Sequence, residues 1–198
     1  MFISFEGLDG CGKTTQANLL AEFLRSEGLH VVATREPGGT ALGEAIRGLV
    51  LHGGHVAPWA EAALYAAARA QHVDEVIAPS LGRGAIVVCD RYVDSSVAYQ
   101  GVGRGLGLVE VLELNLAAVG GLLPDVTFLL ELDADDSEAR LGPERDRIER
   151  EDGAFRRRVA AGYRELARRY PERYLVISGK DSVDEIAGEV LGAVRSRS

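Results

Sequence analysis

The residues best suited to chemistry come almost at the start of the chain, in the segment GLDGCGKT at 7–14. This segment satisfies the pattern G-x-x-x-x-G-K-S/T, and it stands between a strand-like run at 2–7 and a helical pattern. Its glycines let the backbone curl so that successive N–H groups face phosphate oxygens, and the helix N-terminus adds positive charge. In this pattern Lys13 reaches the β- and γ-phosphates of a nucleotide, and the Thr14 hydroxyl binds Mg²⁺. The sequence therefore predicts a loop that binds ATP or a related triphosphate, made of Gly7, Leu8, Asp9, Gly10, Cys11, Gly12, Lys13, Thr14 and Thr15.

A second candidate for the metal site ends the apolar run AIVVCD at 85–90. An aspartate at the end of a buried strand is typical of the second carboxylate near Mg²⁺ in proteins with such a loop. We therefore expect Asp90 to hold Mg²⁺, directly or through water. Together the two segments predict a nucleoside triphosphate with Mg²⁺, but they do not indicate what receives the phosphoryl group.

Five β-rich runs alternate with longer helical patterns, and the middle runs are apolar almost throughout, as in strands that are covered on both faces. The predicted strands are 2–7, 30–36, 85–90, 126–133 and 173–179. The predicted helices are 14–27, 40–51, 61–80, a start after residue 94, 108–119, 150–170 and 182–196. Such alternation predicts the α/β class: an open, mostly parallel five-stranded sheet with helices on both faces. Ligands then bind at the edge where the strands' carboxyl ends meet.

The length and composition of the chain limit its expected number of domains, its partners and its compartment. We expect 198 residues to form a single domain, with one short mobile lid at 137–150, where the chain is charged and poor in apolar anchors. The net charge of −8 argues against nucleic acid as a partner. We expect no membrane association, because no apolar run is long enough to span a bilayer. No signal peptide is visible and the two cysteines, Cys11 and Cys89, lack metal-ligand spacing, so we expect a cytoplasmic protein.

Four further segments follow the loop in a fixed order: TREPGGT (34–40), YAAARAQH (65–72), DRYVDSSVAYQG (90–101) and DRIE (146–149). With these motifs the chain resembles the bacterial thymidylate kinases from residue 2 to about residue 150. That family consists of nucleoside monophosphate kinases with a phosphate-binding loop. The resemblance implies conversion of dTMP and ATP into dTDP and ADP, with Mg²⁺, commonly by a homodimer. It leaves open whether the dimer face includes the helix at 108–119 or that at 61–80.

The resemblance also implies roles at the sugar and phosphate of dTMP. Asp9 would bond the 3′-hydroxyl and help to order Mg²⁺. Arg47 and Arg91 would grip the dTMP phosphate. Tyr99 would crowd the 2′ position and disfavour ribonucleotides.

The thymine base is assigned to a second group of side chains by the same resemblance. Tyr65 stands where the family places an aromatic ring under the base. Arg69 and Gln100 would hydrogen-bond its edge, with Ser96 nearby. Residues four apart on a helix share a face, so the spacing of Tyr65 and Arg69 is consistent with one pocket.

A catalytic arginine is expected in the lid. Phosphoryl transfer spreads charge over the moving group, and preplaced cations lower that barrier. In some relatives the loop supplies this arginine where the present chain has Gly10, so the resemblance transfers the role to the lid. Arg140, Arg145 and Arg147 are the candidates, and they join Lys13 and Arg91 as predicted catalytic residues; which of the three acts is left open.

Several other side chains are assigned structural roles. His72 is expected to be a polar helix residue and Tyr163 a packing residue. Arg150 and Arg156–Arg158 are expected to be solvated charges with Arg–Glu pairs among them.

Two alternatives are weighed. Another nucleoside monophosphate kinase, acting on AMP, GMP, CMP or UMP, would share the loop but differ around Tyr65, Arg69, Tyr99 and Gln100. A nucleotide-dependent regulatory switch would also share the loop, but the sequence contains no N-K-x-D stretch to read guanine.

Overall fold

The computed structural model describes residues 1–197 and contains one five-stranded sheet. The strands are β1 (Phe2–Glu6), β2 (Val31–Arg35), β3 (Ile86–Asp90), β4 (Val126–Glu131) and β5 (Tyr174–Ser178). They pair only in parallel, in the order β2-β3-β1-β4-β5. The five predicted strands and the α/β class are therefore confirmed, and the sheet is parallel throughout rather than mostly so.

Helices flank the sheet. They are α1 (Lys13–Ser26), α2 (Ala41–His52), α3 (Pro58–His72), α4 (Ala78–Gly82), α5 (Val93–Ser96), α6 (Leu108–Ala118), α7 (Ala134–Arg140), α8 (Gly153–Arg169) and α9 (Val183–Arg195). A π-helical turn at Val73–Ile77 joins α3 to α4, and a second at Val97–Gly103 extends α5.

The core forms on both faces of the sheet because successive strand side chains point to opposite sides. Ile3 and Phe5 of β1 pack with residues of α1 and α9 on one face. Phe2 packs on the other face with residues of α3, α6 and α8. Burial on both faces explains why the central strands are apolar almost throughout.

Two helical segments differ from prediction. The helix predicted at 61–80 begins at Pro58, because proline suits the first helical position, and it is interrupted by the turn at Val73–Ile77. The helix Ala134–Arg140 was not predicted, since its seven residues are mostly polar and too few to show a helical period. It overlaps the start of the predicted lid, and Ile148 near the lid's other end is buried. That the lid moves stays a prediction.

The register brings the carboxyl ends of the central strands together. Phe5 of β1 lies beside Asp90 of β3, which lies beside Arg35 of β2. The loops that follow these strands therefore meet at one edge of the sheet, where a cleft opens. No helix within residues 1–197 has the length and apolar character needed to cross a bilayer.

Candidate active site

The glycine-rich loop wraps around the start of α1. Gly7 and Gly12 have φ angles of 138° and 97°, in the region that favours glycine. A Cβ on Gly7 would lie 2.5 Å from the backbone oxygen of Leu130, so only glycine fits there. Gly12 directly precedes α1 and turns the chain so that the first amides of the helix face the cleft.

Lys13 and Thr14 are held at the bottom of this loop. Lys13 is 6% exposed, and its ammonium donates to the carbonyl oxygen of Leu8 at 2.7 Å. The Thr14 hydroxyl donates to Oδ2 of Asp90 at 2.5 Å. These side chains line one cleft, together with Asp9.

A divalent metal suits the Thr14–Asp90 pair. Oδ1 of Asp90 is buried and has no hydrogen-bond partner among the described residues. A carboxylate oxygen beside a hydroxyl is the kind of donor set that Mg²⁺ prefers, and Mg²⁺ takes its remaining ligands from phosphate and water. Residues 1–197 contain no cluster of three or more His, Cys, Asp or Glu able to hold a metal.

Asp9 lies between the loop and the other half of the cleft. Its Oδ1 accepts a hydrogen bond from Arg91, and its Oδ2 accepts one from the Tyr99 hydroxyl at 2.8 Å. Burial alone would raise the pKa of Asp9, but Arg91 and Lys13 more than offset this and hold it below its ordinary value. The Asp9 carboxylate is therefore an anion at neutral pH. Asp9 thus contacts both Arg91 and Tyr99. The roles toward dTMP that the resemblance implies for these three residues stay predictions.

Arg91 is held in place by a hydrogen-bond network that was not predicted from the sequence. Its backbone φ of 70° is unusual for a non-glycine residue. Its Nη1 donates to the hydroxyls of Ser95 at 3.1 Å and Tyr163 at 3.2 Å. Both hydroxyls in turn donate to Oε2 of Glu6, at 2.6 and 3.1 Å. Tyr163 is therefore a polar partner of Arg91 and more than a packing residue.

Glu6 is fully buried at the end of β1. Burial and the neighbouring Asp94 raise its pKa to about 7, although Ser95 favours the anion. A glutamate ending a buried strand directly before the glycine loop was the one signal that could have indicated this network.

Arg69 lies among buried acceptors. It is 2% exposed, and its Nε donates to Glu36 at 2.6 Å. Its Nη1 reaches Ser96 at 3.0 Å and its Nη2 the Tyr92 carbonyl at 3.1 Å. Asn115 accepts a further hydrogen bond from Nη1. Four of the five guanidinium N–H groups are therefore used within the protein, which leaves one for a ligand.

The carboxylate that holds Arg69 also binds His72. Nδ1 of His72 lies 2.9 Å from Glu36, and Nε2 lies 2.7 Å from the Thr34 hydroxyl. His72 is fully buried, so it supports the pocket from within the core. The sequence analysis treated His72 only as a polar helix residue and did not predict its contact with Glu36.

The remaining predicted base and phosphate contacts line the same cleft, which has a volume of about 1200 Å³. Tyr65 is partly exposed to it. Gln100 is buried and donates its amide to Glu61 at 2.8 Å. Arg47 donates to the Pro37 carbonyl at 3.0 Å. The volume exceeds that of a typical single-ligand pocket, so two nucleotides can be accommodated.

None of the three lid arginines lines this cleft. Arg140 donates to the Gly179 carbonyl at 2.9 Å. Arg145 pairs with Glu138 at 3.1 Å, and Arg147 with Glu61 at 2.6 Å. Among residues 1–197, the lid contributes Asp146, Ile148 and Glu149 to the cleft lining. A role for any of these arginines at the transferred phosphate therefore requires its present contact to break.

One arginine expected to be solvated is not. Arg156 is 7% exposed and pairs with Glu138 at 2.5 Å, because α8 packs against α7. Arg157, by contrast, is largely exposed as expected.

The loop, the parallel sheet and the two-part cleft at its carboxyl edge define a P-loop nucleotide-binding protein of the kinase type. A family model described as thymidylate kinase matches residues 5–190. The thymidylate kinase of Leifsonia xyli subsp. xyli is 55% identical over 194 residues, which cover 96% of this chain and 92% of the relative. The thymidylate kinase of Synechococcus sp. (strain JA-3-3Ab) is 50% identical, with 100% of this chain and 96% of the relative covered.

A solved structure agrees with these sequence matches. The crystal structure of thymidylate kinase from Ehrlichia chaffeensis superposes with a TM-score of 0.82 at 37% identity, covering 98% of both chains. The chain belongs to the thymidylate kinase family, whose members are nucleoside monophosphate kinases.

Proposed function

We propose that this protein transfers the γ-phosphoryl group of ATP to the phosphate of dTMP, giving dTDP and ADP, in a reaction that depends on Mg²⁺. The observation that carries the proposal is the single cleft that joins the Lys13 loop to the pocket of Tyr65, Arg69 and Gln100. The identity of about 50% to thymidylate kinases over the full chain supports the same activity.

The ATP half of the cleft is assigned to Gly7–Thr15. Backbone N–H groups and Lys13 would bind the phosphates, and Thr14 with Asp90 would hold Mg²⁺. Bound there, the metal supplies positive charge for the β- and γ-phosphates.

The other half of the cleft, which begins at Asp9, is assigned to dTMP. Asp9 is an anion with capacity to accept a sugar hydroxyl, and Arg91 would bind the phosphate together with Arg47. Tyr99 donates to Asp9 and would stand at the sugar. The ring of Tyr65 would stack on the base.

The main obstacle in this reaction is repulsion between two polyanions, since the dTMP phosphate is already a nucleophilic anion near neutral pH. Lys13, Arg91 and a lid arginine would neutralise that charge and align the attacking oxygen in line with the leaving group. Closure of the lid at 137–150 would exclude water, which otherwise takes the phosphoryl group.

An acceptor panel tests the proposal. Purified protein is given ATP and Mg²⁺ with dTMP, dUMP, AMP, GMP, CMP or UMP, and ADP release is measured. We expect dTMP to give the highest kcat/KM. Preference for another monophosphate would identify a different nucleoside monophosphate kinase, and slow hydrolysis independent of any acceptor would indicate a regulatory switch.

We further propose a single kinase domain that acts as a homodimer in the cytoplasm. Leu42 and Leu49 of α2, Trp59 of α3 and Val109 of α6 are each about half exposed on neighbouring helices, which supports an interface there. Light scattering coupled to size exclusion would give a mass near twice 21.2 kDa if the dimer forms. Both cysteines are free in the structure, as is usual in a reducing compartment.

A further inference from the structure

Glu61 is a fully buried carboxylate on α3 that lies between the base pocket and the lid. Its Oε1 accepts from Gln100 at 2.8 Å and from Arg104 at 3.2 Å. Its Oε2 accepts from Arg104 at 3.2 Å and from Arg147 at 2.6 Å. Glu61 does not line the cleft, so it acts on a ligand only through these neighbours.

The negative charge of Glu61 determines which atoms its hydrogen-bond partners turn toward it. Burial alone would raise its pKa, but hydrogen bonds from Arg104, Gln100 and Arg147 more than offset this, and the pKa lies below its ordinary value. Glu61 is therefore ionised at neutral pH, and an ionised carboxylate only accepts hydrogen bonds. The –NH₂ group of Gln100 must face it, because the reversed amide would set a carbonyl oxygen against an anionic oxygen.

The orientation of this amide decides what the cleft offers to a base. The Gln100 side chain lines the cleft, and its amide nitrogen donates to Glu61. The side-chain carbonyl oxygen of Gln100 is therefore the polar atom that remains available to a ligand in the cleft. That oxygen accepts no hydrogen bond from any residue in 1–197. Thymine carries a hydrogen on N3, whereas N3 of cytosine is an acceptor. A fixed acceptor therefore pairs with N3–H of thymine and repels N3 of cytosine.

We propose that Glu61 is a positioning residue that sets base specificity: by orienting the Gln100 amide, it presents an acceptor to N3–H of dTMP and excludes dCMP. The inference rests on the proposed function, since it concerns the base edge that Gln100 would meet. Sites that hydrogen-bond a substrate group reject analogues that leave the site's polar atoms unpaired, so the effect on specificity is large.

The variant Glu61→Gln tests this directly. Its new –NH₂ group can donate to the Gln100 carbonyl, so the Gln100 amide is free to turn and offer a donor to the cleft. The readout is the ratio of kcat/KM for dTMP to that for dCMP, or the ratio of the Kd values by calorimetry where dCMP turnover is too slow. We expect the ratio to fall by about tenfold or more, mainly through KM or Kd. An unchanged ratio in the folded variant would overturn the proposal.

Arg147→Gln is the matched control, because Arg147 binds the other oxygen of Glu61 and does not touch Gln100. Its turnover is expected to fall with loss of the lid contact, while the dTMP to dCMP ratio stays within about twofold of the unaltered protein. A ratio that falls as far as in Glu61→Gln would mean that Glu61 acts through the lid, against the proposal.

The double variant Glu61→Gln with Gln100→Glu exchanges the two groups and conserves their total charge, so it remains informative if Glu61→Gln alone does not fold. The new carboxylate at position 100 offers an acceptor to the cleft in any orientation. Recovery of the dTMP preference to within about threefold is expected, and a swapped protein without that preference would contradict the proposal. Turnover of dTMP by the unaltered protein reports separately on the proposed function, which can fail independently of these ratios.

Discussion

Under the proposed function, Lys13 is the residue on which chemistry at the loop is expected to depend most directly. In the structure Lys13 is buried, and its ammonium donates to the carbonyl oxygen of Leu8 in the loop that follows β1. A compact point charge at this position can move from a backbone carbonyl to phosphate oxygens with little rearrangement of the side chain.

Lys13→Ala is therefore expected to lower kcat for dTMP-dependent ADP release by about 100-fold or more, because the charge at the transferring phosphate is lost. Circular dichroism would check that the variant folds. Near-normal turnover in a folded Lys13→Ala protein would contradict the assigned mechanism.

Glu6 gives a prediction about stability and pH. Its pKa is raised from 4.5 to about 7 in the folded protein, so the folded state holds one more proton than the unfolded state between these values. Stability then falls as pH rises through this window, and a shift of this size corresponds to about 3 kcal/mol at ~1.4 kcal/mol per unit.

The variant Glu6→Gln lacks this titration. The free energy of unfolding of the unaltered protein minus that of the variant should fall between pH 4.5 and about 7 and level off above it. Urea unfolding at several pH values measures this difference. A difference that is constant or rises with pH would show that Glu6 is not held neutral by its surroundings.

At the scale of elements, the lid at 137–150 shows the largest difference between the structure and the expected chemistry. The chemistry requires an arginine at the transferred phosphate, whereas each lid arginine contacts another group of the protein. Arg140 bonds a backbone carbonyl and Arg147 bonds a buried carboxylate, whereas the partner of Arg145 is 42% exposed. Exposed ion pairs contribute little, so the Arg145–Glu138 pair opens at the lowest cost. Of the three, Arg145 is therefore the one that we expect to act at the transferred phosphate.

Of the single variants Arg140→Ala, Arg145→Ala and Arg147→Ala, we expect Arg145→Ala to lower kcat most, by about 100-fold or more, with little change in KM for dTMP. Steady-state kinetics with both substrates varied would separate the two constants. If none of the three variants lowers kcat, the lid supplies no catalytic arginine.

Much of this element-scale description was predictable, and the misses have physical causes. The central strands β1, β3 and β4 are covered on both faces and give apolar runs that are easy to recognise. The helix Ala134–Arg140 was missed because it is short and polar and shows no period. Tyr163 and His72 were read as structural because a sequence does not reveal that Glu6 and Glu36, distant in the chain, lie beside them.

At the scale of the whole molecule, the parallel sheet gathers these parts at one edge. The strands β1, β2 and β3 each lead into a different segment that lines the cleft, so residues from distant parts of the chain meet there although they share no local motif. The order of motifs along the sequence was sufficient to indicate the family. It could not reveal the buried carboxylates that orient Arg69, Gln100 and Arg91, because these contacts are formed only by tertiary packing.

The most direct test of the account is a crystal structure of the protein with dTMP and a non-hydrolysable ATP analogue. We predict the pyrimidine between Tyr65, Arg69 and Gln100, the triphosphate on the loop at 7–14, and the two phosphate ends facing each other near Arg91. A pyrimidine bound elsewhere, or a triphosphate away from this loop, would contradict the account.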